Sequence, residues 1–145
     1  MDIEKRLGVM EAVEAIKVLK ARYMRGIDLK DWDIVRDSYT KDAVFELVGA
    51  IPPTQGNDAI TKALAAGLGK DLFVHQIHAP EIEITGPETA RAIWYLEYHG
   101  FHLEAGRASR AWGYYKDEYE IEGGQWRISR SSLSFRRQER TELEG

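Results

Sequence analysis

His75-Gln76-Ile77-His78-Ala79-Pro80-Glu81-Ile82-Glu83-Ile84-Thr85 runs through Gly86-Pro87-Glu88-Thr89 into Ala90-Arg91-Ala92-Ile93-Trp94-Tyr95-Leu96-Glu97-Tyr98-His99, and the fold turns on how these residues alternate. Apolar and polar side chains exchange places at nearly every step on both flanks, which is the period of a strand with one wet face. Thr85-Gly86-Pro87-Glu88 supplies turn chemistry between them, so the stretch reads as two neighbouring strands. Downstream, Arg107 to Ile121 and Gln125 to Arg137 are strand-like as well, joined by a turn at Glu122-Gly123-Gly124. Upstream the period changes: Ala12, Ile16, Leu19, Tyr23 and Ile27 recur every three or four residues and lay an apolar stripe along a helix. That helix ends near Asp28, because Asp31-Trp32-Asp33 offers a fresh N-cap for a short second helix reaching about Ser38. Ala43-Val44-Phe45-Glu46-Leu47 alternates as a strand, Ile51 to Gly56 reads as a loop, and Asn57 or Asp58 caps a third helix from about Ala59 to Leu68. Helices first and long strands last predict an α+β class, with the helices packed on one face of a largely antiparallel sheet.

A chain of 145 residues, 43% of them hydrophobic, has apolar material for one core, so a single domain over residues 1–145 is expected. Arg136 to Gly145 is charged and reads as a frayed tail. Acidic residues outnumber basic ones 24 to 20, a formal charge of -4, which argues against nucleic acid or an anionic membrane as partner. The chain has no cysteine, which excludes disulfides, thiolate nucleophiles and Cys-ligated zinc. Met1 to Arg6 lacks a signal-peptide core and no apolar run of ~18 residues occurs, so a cytoplasmic protein is expected.

Strand parity decides which polar side chains face the core. In the first long strand the even positions His78, Pro80, Ile82 and Ile84 form the apolar set, and His75 falls with Ala79, Glu81, Glu83 and Thr85. In the next strand Ala90, Ala92, Trp94, Leu96 and Tyr98 point inward, leaving His99 outside. The third groups Ala111, Gly113, Tyr115, Asp117, Tyr119 and Ile121 on one side against Arg110, Trp112, Tyr114, Lys116, Glu118 and Glu120 on the other, with aromatic and charged residues in both sets. In the last strand Trp126 and Ile128 are even but Leu133 and Phe135 odd, which a bulge near Ser129 to Ser132 would explain. His75-x-x-His78 and His99-x-x-His102 resemble ligand pairs, but partners three apart on a strand face opposite sides, so no metal site is expected.

His78 is therefore the interior imidazole, and a buried imidazole needs a hydrogen-bond partner. Asp28, at the end of the helical stripe, sits where the helix dipole disfavours a carboxylate unless something local compensates. An Asp28–His78 pair in an apolar pocket is a general base, the carboxylate fixing the tautomer; the same pair also serves simply to tie helix to sheet. No serine is singled out as a nucleophile.

These residues resemble the SnoaL-like family of the nuclear-transport-factor-2-like superfamily, which includes bile-acid 7α-dehydratase, scytalone dehydratase, polyketide cyclases and γ-hexachlorocyclohexane dehydrochlorinase. The resemblance rests on Glu14 to Tyr23 running on to Asp28 and Trp32, His75 to Ile82, Gly113 to Tyr119, and Gly124 to Ile128. It implies a cone-shaped α+β barrel, three helices closing a strongly curved sheet around a deep pocket, and chemistry without a cofactor. By motif position it places the catalytic dyad at Asp28 and His78 and a substrate-site tyrosine at Tyr23. Where bile-acid 7α-dehydratase carries a second active-site tyrosine this chain has Leu47, and the late-strand arginine falls near Phe135, one position from Arg136.

The expected function is a dehydratase-like lyase acting on a small hydrophobic cyclic molecule. His78 is the expected base, Asp28 its orienter and Tyr23 a donor, with Phe45, Leu47, Trp94 and Tyr98 as apolar wall. An isomerase or cyclase with the same dyad, or a non-catalytic ligand-binding or assembly domain, are the alternatives. Ile93, Tyr95, Trp112 and Tyr114 fall on the outer faces, which predicts a homodimer or homotrimer.

Overall fold

Helix α1 spans Ile3–Leu29, starting nine residues before the apolar stripe because Asp2 caps it by accepting from the Lys5 backbone N–H. Its end is a Schellman turn: Lys30 adopts a left-handed φ of 56°, the Lys30 N–H donates to the Ile27 carbonyl and the Asp31 N–H to that of Gly26. Asp31 then caps helix α2, Trp32–Asp37, as expected. The computed structural model describes residues 1–144. After α2 come β1 (Tyr39–Leu47), β2 (Ile51–Gln55), α3 (Asn57–Leu68), β3 (Leu72–Gly86), β4 (Thr89–His102), a 3-10 turn at Leu103–Ala105, β5 (Arg107–Glu122) and β6 (Gln125–Glu142). The strands form one six-stranded sheet in the order β2-β1-β6-β5-β4-β3, antiparallel except for the β1–β6 pair. Among the described residues no helix is long and apolar enough to cross a membrane.

Two segments expected to lack structure are strands. Ile51–Gln55 is an edge strand, and Pro52 and Pro53 fall between Ile51 and Thr54, where its pairing with β1 shifts register and no ladder hydrogen bond is asked of them. The expected tail is ladder as far as Glu142, paired with β5 from Arg107 onward; Gly145 lies outside the described residues. Helix α3 begins after Gly56 with no side-chain cap, so neither Asn57 nor Asp58 plays the expected part.

Three of the sheet's bulges shape the region around the site. In β6, Arg130 and Ile128 pair with consecutive residues of β5, which leaves Ser129 extra, inside the span where the parity change predicts a bulge. A second extra residue, Arg136, lies between the partners of Trp112 and Gly113. Here the backbone crosses so close to Gly113 that an added Cβ would sit 2.2 Å from the Ser134 carbonyl oxygen. Only glycine fits that crossing.

The third bulge overturns the parity of β3. His78 pairs with Tyr95 and Glu81 with Ile93, so Ala79 and Pro80 together oppose one residue of β4, and Ala79 takes a positive φ of 31°. One extra residue swaps the faces. Phe73, His75 and Ile77 point inward before it, and Pro80, Ile82 and Ile84 after it. The concave face so formed packs on α1: Ile16, Tyr23, Met24 and Ile27 share a core with Ala92, Trp94, Leu96, Tyr115, Tyr119 and Ile128.

Candidate functional site

Asp28 sits in the last turn of α1, and the Schellman turn that ends the helix leaves it beside the start of β3. The structure brings His75 to it, not His78. Asp28 Oδ1 lies 2.6 Å from His75 Nδ1, and the His75 backbone N–H donates to both carboxylate oxygens at 3.2 and 3.0 Å. These donors offset the unfavourable helix dipole at Asp28. His78 is exposed on the outer face because the Ala79–Pro80 bulge lies between it and the inward isoleucines. The signal was present in the sequence: a proline inside a strand run marks an edge or a bulge, and parity is not continuous across it.

With Nδ1 turned to the carboxylate, His75 presents its other ring nitrogen to a cavity of about 380 Å3. The imidazole is only 9% exposed, and its ring stacks on Tyr98 with centroids 5.3 Å apart. Phe45, Leu47 and Tyr98 line the cavity as the sequence suggests, together with Ile27, Leu64, Phe73, Leu133 and Phe135. Trp94 does not. It is buried behind the wall, donating its indole N–H to the Tyr119 hydroxyl at 2.9 Å. Four strand residues, ~13 Å, separate it from Tyr98, so the cavity lies at the far end of β4. Arg136, the extra residue of its bulge, is exposed.

Tyr23 also lines the cavity, and its hydroxyl is 2.7 Å from that of Tyr39. The arrangement in which Tyr39 donates leaves the Tyr23 proton for an acceptor in the cavity. Burial pushes the Tyr23 phenol well above its ordinary pKa, reinforced by Tyr39 and then Asp117, so Tyr23 is a neutral donor. Burial does the same to Tyr115, on the neighbouring wall.

Beneath these rings lies a group that pattern reading passed over. Lys20 and Asp117 are wholly buried and 2.7 Å apart. Tyr119 donates to the same carboxylate oxygen as Lys20, and Ser131 donates to the other, each at 2.7 Å. The Lys20 ammonium stands 3.5 Å from the Tyr115 ring centroid. Burial lowers the Lys20 pKa, with Asp117 acting in the opposite sense. Both residues were visible in principle, Asp117 among the inward odd positions of β5 and Lys20 four residues after Ile16 on the helix stripe.

The profile of the SnoaL-like domain family matches residues 8–132. Among solved structures, a candidate scytalone dehydratase of Novosphingobium aromaticivorans superposes with a TM-score of 0.83 at 17% identity, covering 95% of this chain and 91% of that one. A type 3 hexachlorocyclohexane dehydrochlorinase of Novosphingobium barchaimii gives 0.81 at 19%, covering 97% and 95%. A candidate aromatic ring hydroxylase of Novosphingobium aromaticivorans gives 0.78 at 26%, covering 97% and 96%.

Proposed function

The chain belongs to the SnoaL-like domain family, and from that premise we propose that it is a dehydratase-like lyase acting on a small hydrophobic cyclic molecule. His75 takes a proton from carbon beside a leaving group or carbonyl. Asp28 holds the imidazole in the tautomer that leaves the cavity-facing nitrogen free, and stabilises the imidazolium once the proton has moved. Tyr23 donates to the departing or developing oxygen, and the apolar walls around Phe45, Leu47 and Tyr98 hold the ring of the substrate. The observation that carries this reading is the 2.6 Å Asp28–His75 contact on the wall of a cavity large enough for such a molecule.

Two structural relatives are described by elimination reactions, loss of water and loss of hydrogen chloride, and this favours elimination over isomerisation or ring closure. A third is described as a hydroxylase, a reminder that the reaction is chosen by the site and not by the fold. The test is a screen of steroid-like, polyketide-like and halogenated cyclic compounds, following the absorbance of the new double bond. His75→Ala should slow turnover by ~10² to 10⁴ while His78→Ala leaves it unchanged. A His75→Ala enzyme with wild-type turnover would end the proposal.

The same reading assigns a second copy of this chain to the outer face of β4, where Ile93 and Tyr95 are 41% and 52% exposed beside Tyr114. A dimer or trimer mass by light scattering at micromolar concentration is the expected result, and a monomer mass removes this assignment.

A further inference from the structure

A second Asp–His pair stands at the mouth of the cavity, and it ends on a hydroxyl. His102, the last residue of β4, has its Nδ1 2.6 Å from Asp71 Oδ2 and its Nε2 3.0 Å from Ser109 Oγ on β5. We propose that Asp71, His102 and Ser109 form a nucleophilic site for acyl transfer, with Ser109 attacking an ester or thioester carbonyl. This inference is independent of the lyase reading, which uses none of the three.

The geometry assigns each role. A carboxylate at Nδ1 takes the imidazole N–H on that side, so Nε2 carries the lone pair and accepts the Ser109 proton. Asp71 is itself anchored, because the Lys30 ammonium donates to its backbone carbonyl. The serine and imidazole meet only because their neighbour has no side chain. Gly100 is the register partner of Ser109, and a Cβ there would lie 2.7 Å from Ser109 Oγ, 2.9 Å from the Phe73 ring and 3.2 Å from His102 Nε2. Phe73 separates the two imidazoles, its ring centroid 5.8 Å from His102 and 6.0 Å from His75.

His102 and Ser109 both line the cavity, as do Arg107 and Arg140. Arg140 pairs directly with Ser109 across the ladder, and Arg107 lies two residues before it on the same face of β5. Among the described residues neither guanidinium is held in an ion pair, so both are available to the negative charge that develops on the carbonyl oxygen. The reaction balances without a co-reactant other than water. Ser109 Oγ bonds to the acyl carbon as its proton passes to His102 Nε2. The bond to the alcohol or thiol then breaks and the leaving group takes that proton. Water next adds to the acyl-enzyme, gives a proton to His102, and Ser109 departs with it.

The experiment treats the intact protein with a fluorophosphonate and locates the adduct by peptide mass spectrometry. In parallel, p-nitrophenyl butyrate hydrolysis is followed for a burst. The expected result is one adduct, on Ser109, absent in Ser109→Ala and unaltered in Ser129→Ala. Asp71→Asn, at a side chain 40% exposed, should slow both labelling and burst by about 10²-fold or more because the imidazole loses its fixed tautomer. His102→Gln should do the same, its thermal midpoint checking that it is folded. No adduct on Ser109, or an adduct whose rate is the same in folded Asp71→Asn and His102→Gln, would overturn the proposal.

Discussion

Two acid–base pairs depend on the same helix two turns apart, and they are built to opposite ends. At Lys20–Asp117 both side chains are wholly buried, and Lys20, Tyr119 and Ser131 saturate the carboxylate. At Asp28–His75 the carboxylate is 22% exposed and the imidazole has one nitrogen committed and one turned to an open cavity. Residue types do not separate them, since both join a carboxylate to a basic nitrogen across a helix–strand contact. Saturation does. A pair with no free valence holds the fold together, whereas a pair with one nitrogen left over is equipped to move a proton.

Removing half of the sealed pair is expected to have the largest effect. Asp117→Ala leaves the Lys20 ammonium, Tyr119 and Ser131 without their acceptor in a dry core, a loss of about 3–5 kcal/mol of stability, read as a lower urea midpoint. Replacing both partners with apolar residues, Lys20→Met with Asp117→Leu, should recover a large part of that loss. At the open pair the same kind of change is expected in rate. Asp28→Asn should lower turnover by ~10² to 10⁴ while moving the urea midpoint far less than Asp117→Ala does. If the two substitutions cost equal stability, the distinction between the pairs collapses.

Alkaline pH acts on the sealed pair's surroundings, because burial holds Tyr23, Tyr39, Tyr115 and Tyr119 well above the ordinary phenol pKa. Above about pH 10 the unfolded chain gives up these protons and the native chain keeps them. The native state then binds more protons, so stability falls as pH rises, by about 1.4 kcal/mol per pH unit for each tyrosine. Lys20 opposes this: its lowered native pKa means the unfolded chain binds the extra proton until the ordinary lysine range is passed. With four phenols against one ammonium, a steep alkaline unfolding limb is expected. Absorbance at 295 nm should show four of the seven tyrosines ionising only on unfolding.

Smaller still is Tyr23→Phe, which removes one donor from the cavity and the partner of Tyr39. Roughly a tenfold fall in turnover is expected, in keeping with ~1 kcal/mol for one hydrogen bond, with little change in the alkaline limb contributed by the other three phenols. His78→Ala, on the outer face, should change neither rate nor midpoint. A rate loss there would return the base to the residue that parity alone selects.

How far the site was legible follows from these particular positions. Asp28 is legible because it follows directly on the end of the helical stripe; the stripe from Ile16 to Ile27 also turns Tyr23 inward, but its place in the site is what the family resemblance implies. Tyr98 follows from alternation along the regular β4–β5 ladder, and Phe45 and Leu47 from alternation within β1, whose pairing with β6 is regular from Val44 to Leu47. Alternation does not reach His75, because the one inserted residue at Ala79–Pro80 reverses the parity of every position on one side of it. Asp71, His102 and Ser109 come from three separate segments, so no spacing within one segment joins them.

The α+β order, the inward stripe of α1, a helix cap within Asp31-Trp32-Asp33 and a bulge within Ser129 to Ser132 are all legible in the chain, because each depends on residues close together in it. Which histidine meets Asp28, that Lys20 finds Asp117, that Trp94 lies behind the wall and that the last charged residues complete the ladder with β5 are outcomes of packing across the whole fold. Those outcomes depend on strand register and on the bulges that bend the sheet about α1. A register is set by what the whole sheet buries, and no single segment carries that information.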